Sequence, residues 1–410
     1  MRRLRVLLLA LRESFWLIPA VALVLAVALG IALVEVDSGL EFRFAERWPR
    51  LFGAAAEGTR GTLAAIAGSM ITVAGVVFSV TIVALSLAAD AYSPRVLRTF
   101  MHDRPTQAAL GVFVGIFAYC LVVLRTVRAD GDDGPGFVPA LAVFGALLLA
   151  LAGVAVLVYF IHHVAVAIQI PTILTRISRE SARAIERLFP EALGEGGEEA
   201  PEDPRGAGAW RGVPALRSGY IVEVDAGGLL AFARRRGAVL RMDLGIGEFA
   251  IESLPLASLA GPDGGAAADA EELNALYTLG AERSIEQDAA FGIQQLVDIA
   301  TRALSPGINN PSTAAMCTDH LSALLVLLAR RRIPARPRLE QGELRVIAKG
   351  PTFESLVALA FDPLVHYARG NPPALAALAR AARSLETAAT GRRREFLRRH
   401  FRGLGLDATL

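Results

Sequence analysis

The sequence predicts a mainly α membrane protein: four transmembrane helices followed by a cytoplasmic α+β region, itself a small β module plus a helical bundle. Three observations predict it. Hydrophobic residues make up 53% of the 410 and charged residues only 20%, more apolar than a soluble domain, and the mean hydropathy is +0.45. The long uncharged runs all precede Gln169. From Pro190 onward, charged residues interrupt every apolar stretch before it reaches the roughly 20 residues a spanning helix needs. The same composition excludes a disordered chain, which requires low hydrophobicity and high charge. Two cysteines, Cys120 and Cys317, are too few for a disulfide scaffold or a four-thiolate zinc site. A formal charge of +2 leaves no nucleic-acid footprint, so no nucleic-acid partner is expected. Lys349 is the single lysine, which removes P-loop chemistry.

The four spans are Phe15–Val34, Thr62–Ala89, Thr106–Leu124 and Phe137–Ile168. Trp16 anchors the first near an interface, and Pro19 is tolerated within it. That run is longer than a leader's apolar core and lacks an Ala-x-Ala site, so it reads as a retained span. The domains expected are a membrane domain over residues 1–189, a linker or projecting loop over 190–212, a β module over 213–262 and a helical domain over 268–410.

Arginines set the orientation. Arg2, Arg3, Arg5, Arg12, Arg95, Arg98, Arg104, Arg176, Arg179, Arg183 and Arg187 fall on one side; Arg43, Arg47, Arg50, Arg60, Arg125 and Arg128 fall on the other. The larger set marks the cytoplasm, which places both termini inside a bacterial inner membrane. The opposite loop carries Asp130, Asp132 and Asp133, and the first outer loop carries Phe44, Trp48 and Phe52 at helical spacing, suited to a short interfacial helix.

The second span is the most informative. Gly61, Ala65, Gly68, Thr72, Gly75, Ser79 and Ser86 form one stripe with Ile82 its only large member, and Ser69 lies beside it. Small residues permit close helix approach in lipid; hydroxyls can also replace hydration water around a passing ion. The stripe is therefore a tight helix–helix seam, within one subunit or between copies, or a pore wall. Ionisable groups in the spans are scarce, which disfavours a proton-coupled transporter. His162 and His163 near the cytoplasmic end of the fourth span are candidates for a pH-sensitive gate, with Tyr159 on the face of His163.

Two long motifs carry a family resemblance. AIAGSMITVAGVVFSVTIVALSLAADAYSPRVLRTFMHDRPTQAALGVFVGIFAYCLVVLRT (Ala65–Thr126) and RSIEQDAAFGIQQLVDIATRALSPGINNPSTA (Arg283–Ala314) closely resemble the bacterial membrane-protein family called domain of unknown function 2254. The resemblance implies a four-helix membrane part and a cytoplasmic remainder; it implies no activity. It leads one to expect Asn-Asp-Pro where this chain has Asn309-Asn310-Pro311, so a role needing a carboxylate at 310 is disfavoured while helix capping survives.

In the remainder, strands are expected at Gly219–Asp225 and Ala238–Leu244 around a helix at Leu229–Arg236. GAVLRMDLGIGEFAIESLPLASL is similar to the small barrel-sandwich folds of biotinyl and lipoyl carriers, but it has no lysine to modify, leaving a β module for packing or oligomerisation. Ala268–Arg302 reads as helical, and Thr352–Arg369 and Pro373–Phe401 as amphipathic helix with a solvated or membrane-facing basic end. The second motif supplies candidate site residues Arg283, Glu286, Asp288, Asp298, Arg302, Ser305, Asn309 and Asn310. Asn310 is placed to cap the next helix, and that helix start is an alternative anion site.

No Gly-x-x-x-x-Gly-Lys, His-Glu-x-x-His, Gly-x-Ser-x-Gly or Cys-x-x-Cys occurs. No enzyme, cofactor or metal is expected. Two functional classes stay open: a homo-oligomeric ion channel lined by the second span, with inorganic ions and the lipid bilayer as partners, and a non-conducting scaffold or sensor whose cytoplasmic domain binds a ligand or protein.

Overall fold

The computed structural model describes residues 16–39, 56–91, 103–129, 136–189, 210–261, 267–283, 285, 288–334, 336–340 and 342–406. The chain divides into two compact units, Met1–Gln169 and Ile170–Leu410. The sequence places the end of the first domain at residue 189. Helix 170–188 instead falls with the second unit, because its apolar face is spent there.

The first unit holds α1 (Leu17–Gly39), α2 (Ala56–Ala91), α3 (Arg104–Thr126) and α4 (Ala140–Ala167), each long and apolar enough to cross a membrane. Helix α3 is the central post: 56% of its apolar window is buried, against 11–22% in the other three. It meets α1 along a row of small residues. A Cβ on Gly111 would lie 3.0 Å from Ala22 Cβ and 3.1 Å from Pro19 Cα, and one on Gly115 would lie 3.2 Å from Ala26 Cβ. Helix α2 turns Leu63, Ala67, Met70, Ala74 and Val77 inward at helical spacing. Met70 and Ile116 close around Gly153 of α4.

Polar groups fix the helix ends. Asp103 caps α3 by accepting from the Thr106 N–H (3.3 Å) and hydroxyl (2.6 Å), with Pro105 in the first turn. Asp37, the acidic end of α1, accepts from the backbone N–H groups of Leu141 (3.3 Å) and Ala142 (3.1 Å), capping α4 from another helix. The buried Tyr119 hydroxyl donates to the Ala142 carbonyl at 2.7 Å.

The second unit opens with α5 (Ile170–Leu188), whose buried face is Ile173, Leu174, Ile177, Ser181, Ala184 and Ile185. Strands and helices follow: β1 (Arg211–Pro214), β2 (Gly219–Val224), α6 (Ala226–Arg235), β3 (Val239–Met242), β4 (Phe249–Ala250), β5 (Pro255–Ala260), α7 (Ala267–Asn274), β6 (Tyr277–Gly280), α8 (Ala289–Ala303), α9 (Pro311–Arg330), β7 (Pro337–Glu340), β8 (Glu343–Ile347), α10 (Phe353–Ala368), α11 (Pro372–Ala388) and α12 (Gly391–Gly403). One sheet has the order β1-β5-β3-β8-β7 and the other β4-β2-β6. Ile221, Leu229, Phe232, Leu240 and Leu256 form the core between them. Helices α5 and α8 approach so closely that a Cβ on Gly292 would collide with the buried Ser181 hydroxyl.

Four expectations need correction. Among the described residues, five helices, not four, reach spanning length and apolarity; the fifth is α9, whose apolar run is interrupted in the sequence by Asp319. The β module is not confined to 213–262: β1 begins inside the stretch read as linker, and β8 pairs in parallel with β3. The stretch 268–302 is not wholly helical, since Tyr277–Gly280 leaves it to pair with β2. The basic end is not simply a solvated face. Arg393 Nη1 donates to the carbonyls of Leu328, Ala329 and Arg331 at 2.7–3.1 Å, satisfying the end of α9, and Arg394 Nε donates to the backbone carbonyl of Glu386 at 2.8 Å.

Candidate functional site

The stripe on α2 lies open. Gly61, Ala65, Gly68, Ser69, Thr72, Gly75, Ser79 and Ser86 are all exposed, opposite the inward row that begins at Leu63. A Cβ placed on Gly61, Gly68 or Gly75 meets nothing within 4 Å. Among the described residues, the intrachain seam made of small residues is therefore α1 against α3, and this stripe forms none. Two of its hydroxyls are satisfied locally: Ser69 donates to Ala65 O and Thr72 to Gly68 O, each at 2.8 Å. Such back-bonding uses the proton and leaves oxygen lone pairs turned outward.

The histidine pair separates into two environments. His163 Nε2 lies 2.8 Å from Asp103 Oδ2 and stacks on Tyr159 with ring centroids 5.9 Å apart. His162 is exposed. Asp103 thus joins the start of α3 to the end of α4, a partnership the sequence reading missed because sixty residues separate the two groups. Beside them lies a cavity of about 260 Å³ walled by Phe78, Ile82, Leu85 and Val164.

The second motif folds as a local lock. Arg283 binds Asp288 Oδ2 through Nε (2.8 Å) and Nη2 (2.6 Å), while Asp288 Oδ1 accepts from the Phe291 N–H at 3.0 Å and caps α8. Burial pushes the Asp288 carboxyl above its ordinary range, and the Arg283 charge and these hydrogen bonds pull it back. The turn at Gly247, with φ +85°, fits against this pair; a Cβ there would strike Asp288 Oδ2. Glu286 lies outside the described residues. Asp298 accepts from Gln294 Nε2 at 2.7 Å. Ser305 donates to Arg302 O, Asn309 takes a left-handed φ of 45°, and Asn310 caps α9 by accepting from Thr313 N–H at 3.1 Å. Capping needs only a side-chain oxygen, so the Asn at 310 suffices. These residues hold backbone together; among the described residues, no three His, Cys, Asp or Glu side chains gather to hold a metal.

The family described as Predicted membrane protein (DUF2254) matches residues 12–384. The chain belongs to this family. An uncharacterized protein of Mycobacterium bovis is 34% identical over 379 residues, covering 90% of this chain and 71% of the relative. Uncharacterized proteins of two Mycobacterium tuberculosis strains show 34% and 32% identity with the same coverage. No solved structure matches the chain. The DUF2254 match takes in both units, and with them the α2 stripe, the Asp103–His163 pair and the Arg283–Asp288 lock.

Proposed function

We propose that this protein is a homo-oligomeric ion channel of a bacterial inner membrane, in which α2 of several copies turns its small-residue face toward a shared axis. One observation carries the reading: the stripe from Gly61 to Ser86 is exposed, and none of the described helices covers it. Closed rings of identical subunits bring identical surfaces around one axis. The outward lone pairs of Ser69 and Thr72 suit a cation better than an anion, since their protons are already committed to Ala65 and Gly68. In this reading α1 to α4 span the bilayer with both termini cytoplasmic, as the arginine distribution favours. Helix α9, the least apolar of the five, is an interior helix of the second unit; half of its apolar window is already buried there, against α5, α8 and α11.

The test is planar-bilayer recording of purified protein, with its mass in detergent measured in parallel. We expect an oligomer with unitary currents that Gly68→Leu abolishes. A monomer, or a correctly assembled oligomer silent across salts and voltages, removes the channel; in the latter case a non-conducting scaffold remains.

A further inference from the structure

A second cavity, of about 630 Å³, lies within the second unit and is lined by four cationic side chains, Arg336, Arg338, Lys349 and Arg393, against two carboxylates, Asp288 and Glu354. The volume falls within the roughly 300–1,000 Å³ range of small-molecule sites. Tracing each charge shows an excess of unanswered positive charge. Asp288 is neutralised by Arg283, 2.6 Å away. Lys349 is answered by Glu248 at 2.8 Å. Arg393 is held over the Phe353 ring at 4.9 Å and by three carbonyls, and the charge of Glu354 in the same wall partly offsets its own, which leaves Arg336 and Arg338.

Arg338 is the informative member. It is half-buried on β7, and neither it nor Arg336 has an ion pair or side-chain hydrogen bond among the described residues. Burial alone lowers its pKa, the signature of a charge desolvated without compensation. Arg336 stands two residues before it, on the same side of the extended chain. The first turn of α10, a 16-residue helix capped by Thr352, opens on the same space and adds its positive end. Ile246, Ile333 and Phe353 supply apolar wall. Paired guanidiniums match the oxygens of a phosphate better than any neutral group.

We infer that this cavity binds an organic phosphate, its phosphoryl oxygens on Arg336 and Arg338 and its apolar or ring portion against Ile246 and Phe353. The phosphate arrives on a soluble nucleotide or on a lipid headgroup, and the two sources present the same chemistry to the site. The inference is independent of conduction, because every wall residue belongs to the second unit.

Calorimetric titration and thermal melting of the full-length protein, in neutral detergent at fixed ionic strength, test it with three probes: sodium pyrophosphate, ATP, and a short-chain phosphatidylglycerol. Saturable binding of at least one is expected, with a matching rise in Tm; ATP alone points to the soluble source and phosphatidylglycerol alone to the lipid. Arg338→Met should weaken that binding at least ten-fold while leaving the ligand-free Tm unchanged or higher, since it removes an unpaired half-buried charge. Arg217→Met, an exposed arginine outside the cavity, should bind normally. No saturable binding by any probe, equal weakening in Arg217→Met, or a lower ligand-free Tm in Arg338→Met overturns the assignment.

Discussion

Two rows of small residues run along the spans of the first unit, and their surroundings are opposite. On α3, Gly111 and Gly115 face α1 so closely that a single added carbon would sit 3.0–3.2 Å from the neighbouring helix. On α2, Gly61, Gly68 and Gly75 have open space out to 4 Å. The first row explains itself: only glycine lets the backbone of α1 come that near. The second row has no such reason among the described residues. Glycine inside a helix costs about 0.5–1 kcal/mol relative to alanine, so an open row of glycines weakens its own helix with nothing local to offset it. Under the proposed assembly, contacts with other copies offset that cost.

Gly111→Leu should have the largest effect on folding. The atoms it would meet include Pro19 Cα and the Ile18 carbonyl, both backbone, so relief needs a helix to move. A loss on the order of 3 kcal/mol is expected, read as aggregated or unassembled material on size exclusion and a lowered Tm. The same change at Gly68 should leave the Tm of the subunit near wild type. If Gly111→Leu is as stable as Gly68→Leu, the two rows are not different in kind.

A smaller effect is expected from Asp37→Ala, which removes the cap that α1 supplies to α4. Losing a helix cap costs about 1 kcal/mol, visible as a Tm lowered by a few degrees with assembly intact. An unchanged Tm would mean that the Tyr119 contact to Ala142 holds this end of α4 without it.

These contrasts also mark what the sequence discloses. The second, third and fourth spans, the stripe on α2, the Asn310 cap and the shared face of Tyr159 and His163 follow from spacing along one helix, and spacing is visible in a string of letters. The α1–α3 seam does not, because Ala22, Ala26, Gly111 and Gly115 sit in helices apolar on every side, where no polar face reveals which residues turn inward. Asp103 with His163, and β8 beside β3, join positions far apart in the chain. Arg283 and Asp288 are legible as a motif, while their role as a lock depends on Gly247, some forty residues away, packing against them.

The smallest structural change should separate the two uses of the α2 face. Thr72→Val exchanges a hydroxyl for a methyl of similar size at an exposed position whose proton bonds only to Gly68 O. Stability should change by no more than a few tenths of a kcal/mol, the usual range for surface substitutions, and the mass of the assembly should not change, because a close helix contact depends on size. If the oxygen of Thr72 meets passing cations, unitary conductance or the preference among cations should shift in bilayer recordings, since the lone pairs are gone while the shape remains. Currents identical to wild type would place Thr72 in a dry contact between copies, and the path for ions would then have to run along another face.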